Sequence, residues 1–196
     1  DLTAYTFKKR DFDKPLSFLF ASRLVKAKGI REYLEASQII KETYPEISIY
    51  IAGKYDPKDP DRISKELFHN IQNSDFVEYL GNVPHDKIYE TYMNSDIFVL
   101  PSYGEGLPKA ALEAAASGMP LILSNVSGCK ECLEYKKNGL FIKTQDVESM
   151  KTAMVWMILN QQQASKMSVA SRDLIERKFS INKIYHSYVD LIREIK

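Results

Sequence analysis

Six short apolar runs punctuate the chain, at residues 16–20, 47–52, 76–80, 97–100, 121–123 and 140–142. Each is rich in Ile, Val, Leu or Phe and is bounded by Gly, Pro, Asn or charged residues. None has the polar alternation of a half-solvated strand, so they predict strands covered on both faces. Between them the spacing turns helical. Residues 29–42 carry Ile30, Tyr33, Leu34 and Ile39 at helical intervals, and further helices are predicted over 60–72, 85–94, 108–117, 147–160, 163–178 and 181–196. The Ala-rich 108–117 stretch has Pro108 where a helix starts and Gly118 where one stops. Asn138-Gly139 predicts a tight turn before the sixth strand. Strands alternating with helices imply βαβ units, hence an α/β fold: a Rossmann-like, doubly wound, parallel six-stranded sheet flanked by helices, with extra helices at the C-terminal end.

The length of 196 residues fits one domain spanning 1–196. With 27 basic and 26 acidic residues, the net charge is +1, and no basic stripe points to nucleic acid. No apolar run is long enough to cross a membrane. The chain opens on Asp1 in a polar stretch without an initiator Met, so it is expected to be a piece of a longer protein. Cys129 and Cys132 form a single C-x-x-C, while His69, His85 and His186 are scattered. Zinc asks for about four ligands, and two cysteines make no disulfide framework, so a structural role for the pair is favoured over a redox or metal role.

In open parallel sheets, ligands bind beyond the carboxyl ends of the strands. After the first strand come Arg23 and Lys28, five residues apart across the turn into a helix. A planar guanidinium fork and a point-charge ammonium, beside a helix start, suit two linked phosphates. Two exposed surface cations are the alternative. After the fourth strand, Glu105 sits between Gly104 and Gly106 ahead of the Ala-rich helix, and Glu113 lies one to two turns inside it. Carboxylates accept from sugar and ribose hydroxyls. Equally, Glu105 can cap the helix and Glu113 can pair with Lys109 at i,i+4. A hydrolase acid/base pair would leave the cations unexplained.

Other chemistries lack their signatures. No G-x-G-x-x-G, no phosphate loop of the G-x-x-x-x-G-K-[ST] type and no G-x-S-x-G elbow occurs. Asp11-Phe-Asp13 and Asp59-Pro-Asp61 are Asp-x-Asp pairs of the kind that hold a divalent metal elsewhere, but the second lies among Pro57 and Pro60, where Asp serves turns.

Several blocks together resemble glycosyltransferase family 4. Arg23-Leu-x3-Lys28-Gly29 is similar to its phosphate-binding signature. Asp96-Ile-Phe-Val-Leu-Pro-Ser102, then Glu105-Gly-Leu-Pro and Glu113-Ala, is similar to its E-x7-E block. Gly118-Met-Pro-Leu-Ile, Gly128-Cys-Lys-Glu and Asn138-Gly-Leu follow in family order, so the likeness runs from about residue 16 to 160. It implies one half of a GT-B fold: the C-terminal, nucleotide-sugar-binding domain of a retaining, metal-independent enzyme, inactive without its N-terminal acceptor domain. By resemblance, Arg23 and Lys28 bind the donor diphosphate and Glu105 orients the transferred sugar. Glu113 holds the ribose, the backbone of Gly106, Leu107 and Pro108 lines the sugar–phosphate site, and Gly81, Asn82 and Val83 lie beside the base. The resemblance also places Cys129-x-x-Cys132 in a short turn and helix. The Gly-Leu-Pro-Lys loop is like members using UDP-linked hexoses or N-acetylhexosamines on saccharide or polyprenol-linked acceptors in polysaccharide biosynthesis. Gly53-Lys54-Tyr55 departs from the family's G-x-G after the second strand.

The resemblance further implies a cytoplasmic enzyme, or one peripheral to the inner face of the membrane. Its last helix would pack onto the other domain through Tyr185, Tyr188 and Ile192. The alternative is a non-catalytic nucleotide-sugar-binding module. An epimerase would need an acid/base pair aimed at a ring carbon, and a receiver domain would want acids where Arg23 stands.

Overall fold

The computed structural model describes residues 5–12 and 14–180. Its six strands are β1 (Ser17–Ala21), β2 (Ser48–Ala52), β3 (Glu78–Gly81), β4 (Ile97–Leu100), β5 (Leu121–Ser124) and β6 (Gly139–Ile142). They make one parallel sheet in the order β3-β2-β1-β4-β5-β6. Every predicted run became a strand. Residues of β1, β4 and β5 are buried throughout, as the lack of alternation required.

The flanking helices among the described residues are α1 (Ile30–Thr43), α2 (Lys65–Gln72), α3 (Ile88–Met93), α4 (Lys109–Ala116), α5 (Ser127–Cys132), α6 (Val147–Leu159) and α7 (Gln161–Phe179). Two predicted helices proved shorter. Residues 60–64 form a loop because Asp59 and Asp61 spend their side chains on backbone N–H groups of Asp61 and Ala27, and Ser64 then caps α2 through Leu67 N–H. His85–Lys87 is a turn closed from the Pro84 carbonyl, so α3 begins only at Ile88. Helix α5 was anticipated only by the family likeness; six residues carry too little periodicity to read. The helix expected over 181–196, with Tyr185, Tyr188 and Ile192, lies outside the described residues.

Two ties set β1 beside β4. At their starts, the Ser17 N–H and hydroxyl both donate to Asp96 Oδ2, at 2.9 and 2.8 Å, and Asp96 N–H donates back to Ser17 Oγ at 2.9 Å. At their ends, the 3-10 turn Lys26–Lys28 receives the loop after β4: Tyr103 N–H and the Ser102 hydroxyl both reach the Ala27 carbonyl. Gly29 makes that approach possible. Its φ is 70°, and a Cβ there would lie 2.2 Å from the Pro101 carbonyl oxygen.

On the opposite side, the N-terminal segment delivers Arg10 into the interior, 2% exposed. Its guanidinium donates to the carbonyls of Lys8, Tyr92, Ser95 and Ser117. Three of those acceptors are at the ends of α3 and α4, where helices leave carbonyls unpaired. The second is further closed by Gly118, whose φ of 81° returns its N–H to Ala115. Burial pulls the Arg10 pKa down to about 10, partly offset by Asp96, so it remains a cation at neutral pH. Arg10→Ala strands these carbonyls, and we expect a loss on the order of 3 kcal/mol, read as a lowered midpoint in urea unfolding.

Candidate functional site

The strand order reverses between β1 and β4, so the loops leaving these two strands diverge and open a crevice. Lys28 enters from the loop after β1 and Glu105 from the loop after β4. Their side chains meet, Nζ to Oε1, at 2.5 Å, with 19% and 9% of each exposed. With so little water between them, salt screens this pair less than one on an open surface.

The Glu105 loop is held from several sides. The Ser102 hydroxyl donates to Ala27 and lies 3.0 Å from the Gly104 carbonyl. The Tyr103 hydroxyl donates to Glu32 Oε1 at 2.7 Å. Burial, and then Glu32, raise the Tyr103 pKa to about 12, keeping that proton in place. From the far side, Gly128 at the start of α5 packs on the loop backbone; a Cβ there would come within 2.2 Å of the Gly106 carbonyl oxygen. Around Gly104 and Gly106 themselves there is open space, as expected for backbone that a ligand can approach. Leu107 is 45% exposed beside them. Pro108 precedes α4, whose first turn has neither a capping side chain nor an acidic residue; the Ala111 and Leu112 N–H groups return to the Pro108 carbonyl, and the N–H groups of Lys109 and Ala110 have no side-chain cap, the kind of helix start that suits an anion. The expected role of Glu105 as a side-chain cap is not observed.

A cavity of about 200 Å³ lies at the carboxyl ends of β1, β2 and β3, lined by Ser22, Arg23, Lys54, Asn82, Val83 and Tyr92 among others. Gly81 leads into it with φ 75° and no neighbour within 4 Å of a would-be Cβ. Arg23 does not join Lys28. Its guanidinium, 67% exposed, reaches Asp59 Oδ2 at 2.9 Å. Asp59 thus belongs to a loop-pinning set, and among the described residues no cluster of His, Cys, Asp and Glu could hold a metal ion.

Glu113 is linked to this cavity by Tyr92, whose hydroxyl donates to Glu113 Oε2 at 3.1 Å. The Tyr5 ring lies 6.4 Å from that of Tyr92. Burial first, and the Glu113 charge next, push the phenols of Tyr5 and Tyr92 well above their ordinary value, so both keep their protons beside the carboxylate. A carboxylate offers about four acceptor positions, which leaves capacity for ligand hydroxyls. The i,i+4 pair with Lys109 does not form among the described residues. Tyr92 and Gly128 are participants that sequence reasoning missed. Tyr92 and Gly128 acquire their roles only through contacts across more than twenty residues, with Glu113 and with the Gly106 carbonyl.

The reversed strand order and the crevice it opens define a Rossmann-like α/β domain of the kind that makes half of a GT-B enzyme. The chain belongs to the glycosyl transferases group 1 family, whose description matches residues 3–174. It is 33% identical over 144 residues to the N,N'-diacetylbacillosaminyl-diphospho-undecaprenol alpha-1,3-N-acetylgalactosaminyltransferase of Campylobacter jejuni, covering 74% of this chain and 36% of that one. In fold it is similar to Anabaena HepE, solved in complex with UDP (TM-score 0.84, 18% identity, 99% of this chain and 55% of that one). It is also similar to the C-terminal domain of the group 1 glycosyl transferase LpcC of Francisella tularensis (TM-score 0.80, 22% identity, 92% and 98%). The chain spans between about a third and a half of the length of the curated relatives it matches. Among the described residues, no helix is long and apolar enough to cross a membrane.

The two cysteines are fully buried and unbridged. Burial raises both thiols to about 12, with the Glu105 charge adding to the effect on each. Thiols held protonated and covered are poor nucleophiles. Iodoacetamide at pH 8 is expected to leave both unmodified in the folded chain and to label both in guanidinium, as read by intact mass. Rapid labelling of the native protein would reinstate a reactive C-x-x-C.

Proposed function

We propose that this chain is the donor-binding, C-terminal half of a retaining glycosyltransferase. In this reading it transfers a hexosyl or N-acetylhexosaminyl group from a UDP-linked donor to a saccharide or polyprenol-linked acceptor during polysaccharide biosynthesis. The observation that carries the proposal is the meeting of Lys28 and Glu105 at the β1/β4 crevice, directly beside the open start of α4. One cation and one acceptor then meet in the loop that leads directly into a helix start. Support for the donor half comes from the likeness to an isolated C-terminal domain. Support for the lipid-linked acceptor comes from the name of the Campylobacter relative.

The diphosphate binds to Lys28 and the α4 start, with Arg23 closing over it by exchanging Asp59 for phosphate. The uracil and ribose occupy the cavity beside Gly81, Asn82 and Val83, with the ribose hydroxyls donating to Glu113. Glu105 accepts from hydroxyls of the transferred sugar, and the backbone of Gly106, Leu107 and Pro108 lines its phosphate end. In the transfer step the bond from the anomeric carbon to the diphosphate oxygen breaks. The acceptor hydroxyl oxygen bonds to the anomeric carbon on the same face, and its proton passes to the departing phosphate oxygen. Charge grows on the diphosphate as the bond lengthens, where Lys28 and the helix start stand preset to receive it. These groups serve the leaving group without a divalent ion. Acceptor-binding groups belong to the rest of a longer protein, so the chain alone binds donor and does not turn it over at the rate of an intact enzyme.

Calorimetric titration with UDP, GDP and ADP and their sugars tests this. UDP binding is expected, and Lys28→Ala should weaken it roughly ten- to a hundredfold by removing a charge-assisted contact. Glu113→Ala should weaken uridine and UDP alike. Unchanged affinity in both variants would mean that the site lies elsewhere.

A further inference from the structure

The loop that carries Glu105 is tied to α1 by a buried side-chain bond. Tyr103, two residues before Glu105, donates its hydroxyl to Glu32 Oε1 at 2.7 Å. Glu32 stands in the first turn of α1, four residues beyond Lys28, and is 8% exposed. Its other oxygen, Oε2, is buried and has no hydrogen-bond partner among the described residues. A buried carboxylate is costly unless it is hydrogen-bonded, so the burial of Glu32 leans on the Tyr103 hydroxyl. The side chain of Gln145, between β6 and α6, hydrogen-bonds the same hydroxyl. Gln145 has a left-handed backbone, φ 56°, a conformation that costs energy and persists where the surroundings fix it. The start of α1 and the loops after β4 and β6 thus converge on one phenol oxygen. Elsewhere the Glu105 loop is held only at its two ends. Tyr103 N–H and the Ser102 hydroxyl fix its root to the Ala27 carbonyl, and Gly128 packs on the Glu105 and Gly106 carbonyls. Gly104, between them, has nothing within 4 Å of a Cβ placed there.

We propose that Tyr103 and Glu32 are positioning residues: their bond aims the Glu105 carboxylate, and so sets how tightly a sugar-bearing nucleotide is held relative to the bare nucleoside diphosphate. The inference rests on the reading of Glu105 as the acceptor for hydroxyls of the transferred sugar. Hydrogen bonds weaken steeply with misalignment, so a carboxylate that grips a sugar must be locked by the side chains behind it. The diphosphate makes no such demand on Glu105, because its partners are Lys28 and the start of α4.

The test titrates the 196-residue protein with UDP and with the tighter-binding of UDP-glucose and UDP-N-acetylglucosamine, and reads the ratio of the two affinities. Glu105→Ala, the benchmark, should lower the sugar nucleotide about tenfold relative to UDP. Tyr103→Phe should lower the same ratio about three- to tenfold, with UDP itself within about threefold of the unaltered protein. It should also lower the melting temperature, because Glu32 is left buried without its donor. The double variant Tyr103→Phe/Glu32→Leu separates aim from stability: the apolar pair recovers the melting temperature, while the ratio stays low. Amide exchange, read without ligand, should quicken about tenfold over residues 102–106 of the double variant and not in β1 or β4. A ratio that recovers together with the melting temperature, a ratio that Glu105→Ala lowers and Tyr103→Phe does not, or unchanged amide exchange would each overturn the positioning role and leave the donor reading standing. No binding of either sugar nucleotide, or a ratio that Glu105→Ala leaves unmoved, removes the reading of Glu105 itself and this inference with it.

Discussion

The molecule depends on the lateral pairing of β1 with β4. These strands are separated by nearly eighty residues, and each belongs to a different half of the sheet. Asp96 and Ser17 close a reciprocal hydrogen-bonded clasp where the strands begin, and buried polar groups of this kind are costly unless fully matched. At the other end, the Ala27 carbonyl collects the loop after β4. Between clasp and collar, the register Phe18↔Ile97 is fixed, and with it the distance between whatever the two loops carry. The crevice results from that register, because one strand's connection turns toward α1 and the other's toward α4.

The charged groups in the crevice are held differently from one another. Lys28 and Glu105 neutralise each other at close range, while Glu113 is occupied by protonated phenols and Arg23 is parked on Asp59. Under the proposed function, a diphosphate would meet cations that already have partners, so its binding would be an exchange of contacts and not a filling of empty positions. In that reading the exchange would suit anions with several oxygens, which could satisfy Lys28 while sugar hydroxyls took over Glu105. The backbone beneath is closely packed on two sides: a Cβ at Gly29 would meet the Pro101 carbonyl and one at Gly128 the Gly106 carbonyl.

Much of this was legible in the residue order. All six strands were visible as short apolar runs, but the expectation of cover on both faces held throughout only for β1, β4 and β5; β3, at the sheet edge, has no buried residue. The Pro108 and Gly118 boundaries of α4 follow from backbone chemistry. The positions of Lys28 and Glu105 at strand ends were equally readable, since strand ends are local. The start of α2 was misread because Asp59 and Asp61, which look like turn or metal residues, act on a distant loop. Helix α5 carried too short a period to see. Tyr92 was not singled out, because its hydroxyl bond to Glu113 is made across the fold and leaves no pattern in sequence.

The sequence by itself determined the elements, the parallel α/β class and which loops carry charge, because hydrophobic period, helix stops and turn residues act over a few positions. Only the tertiary structure decided which of those charges meet. Lys28 found Glu105 across seventy-seven residues, whereas Arg23, five residues from Lys28, turned to Asp59 instead. Partnership across the fold depends on strand order and register, and those are set by the packing of the whole sheet and not by any local run of residues.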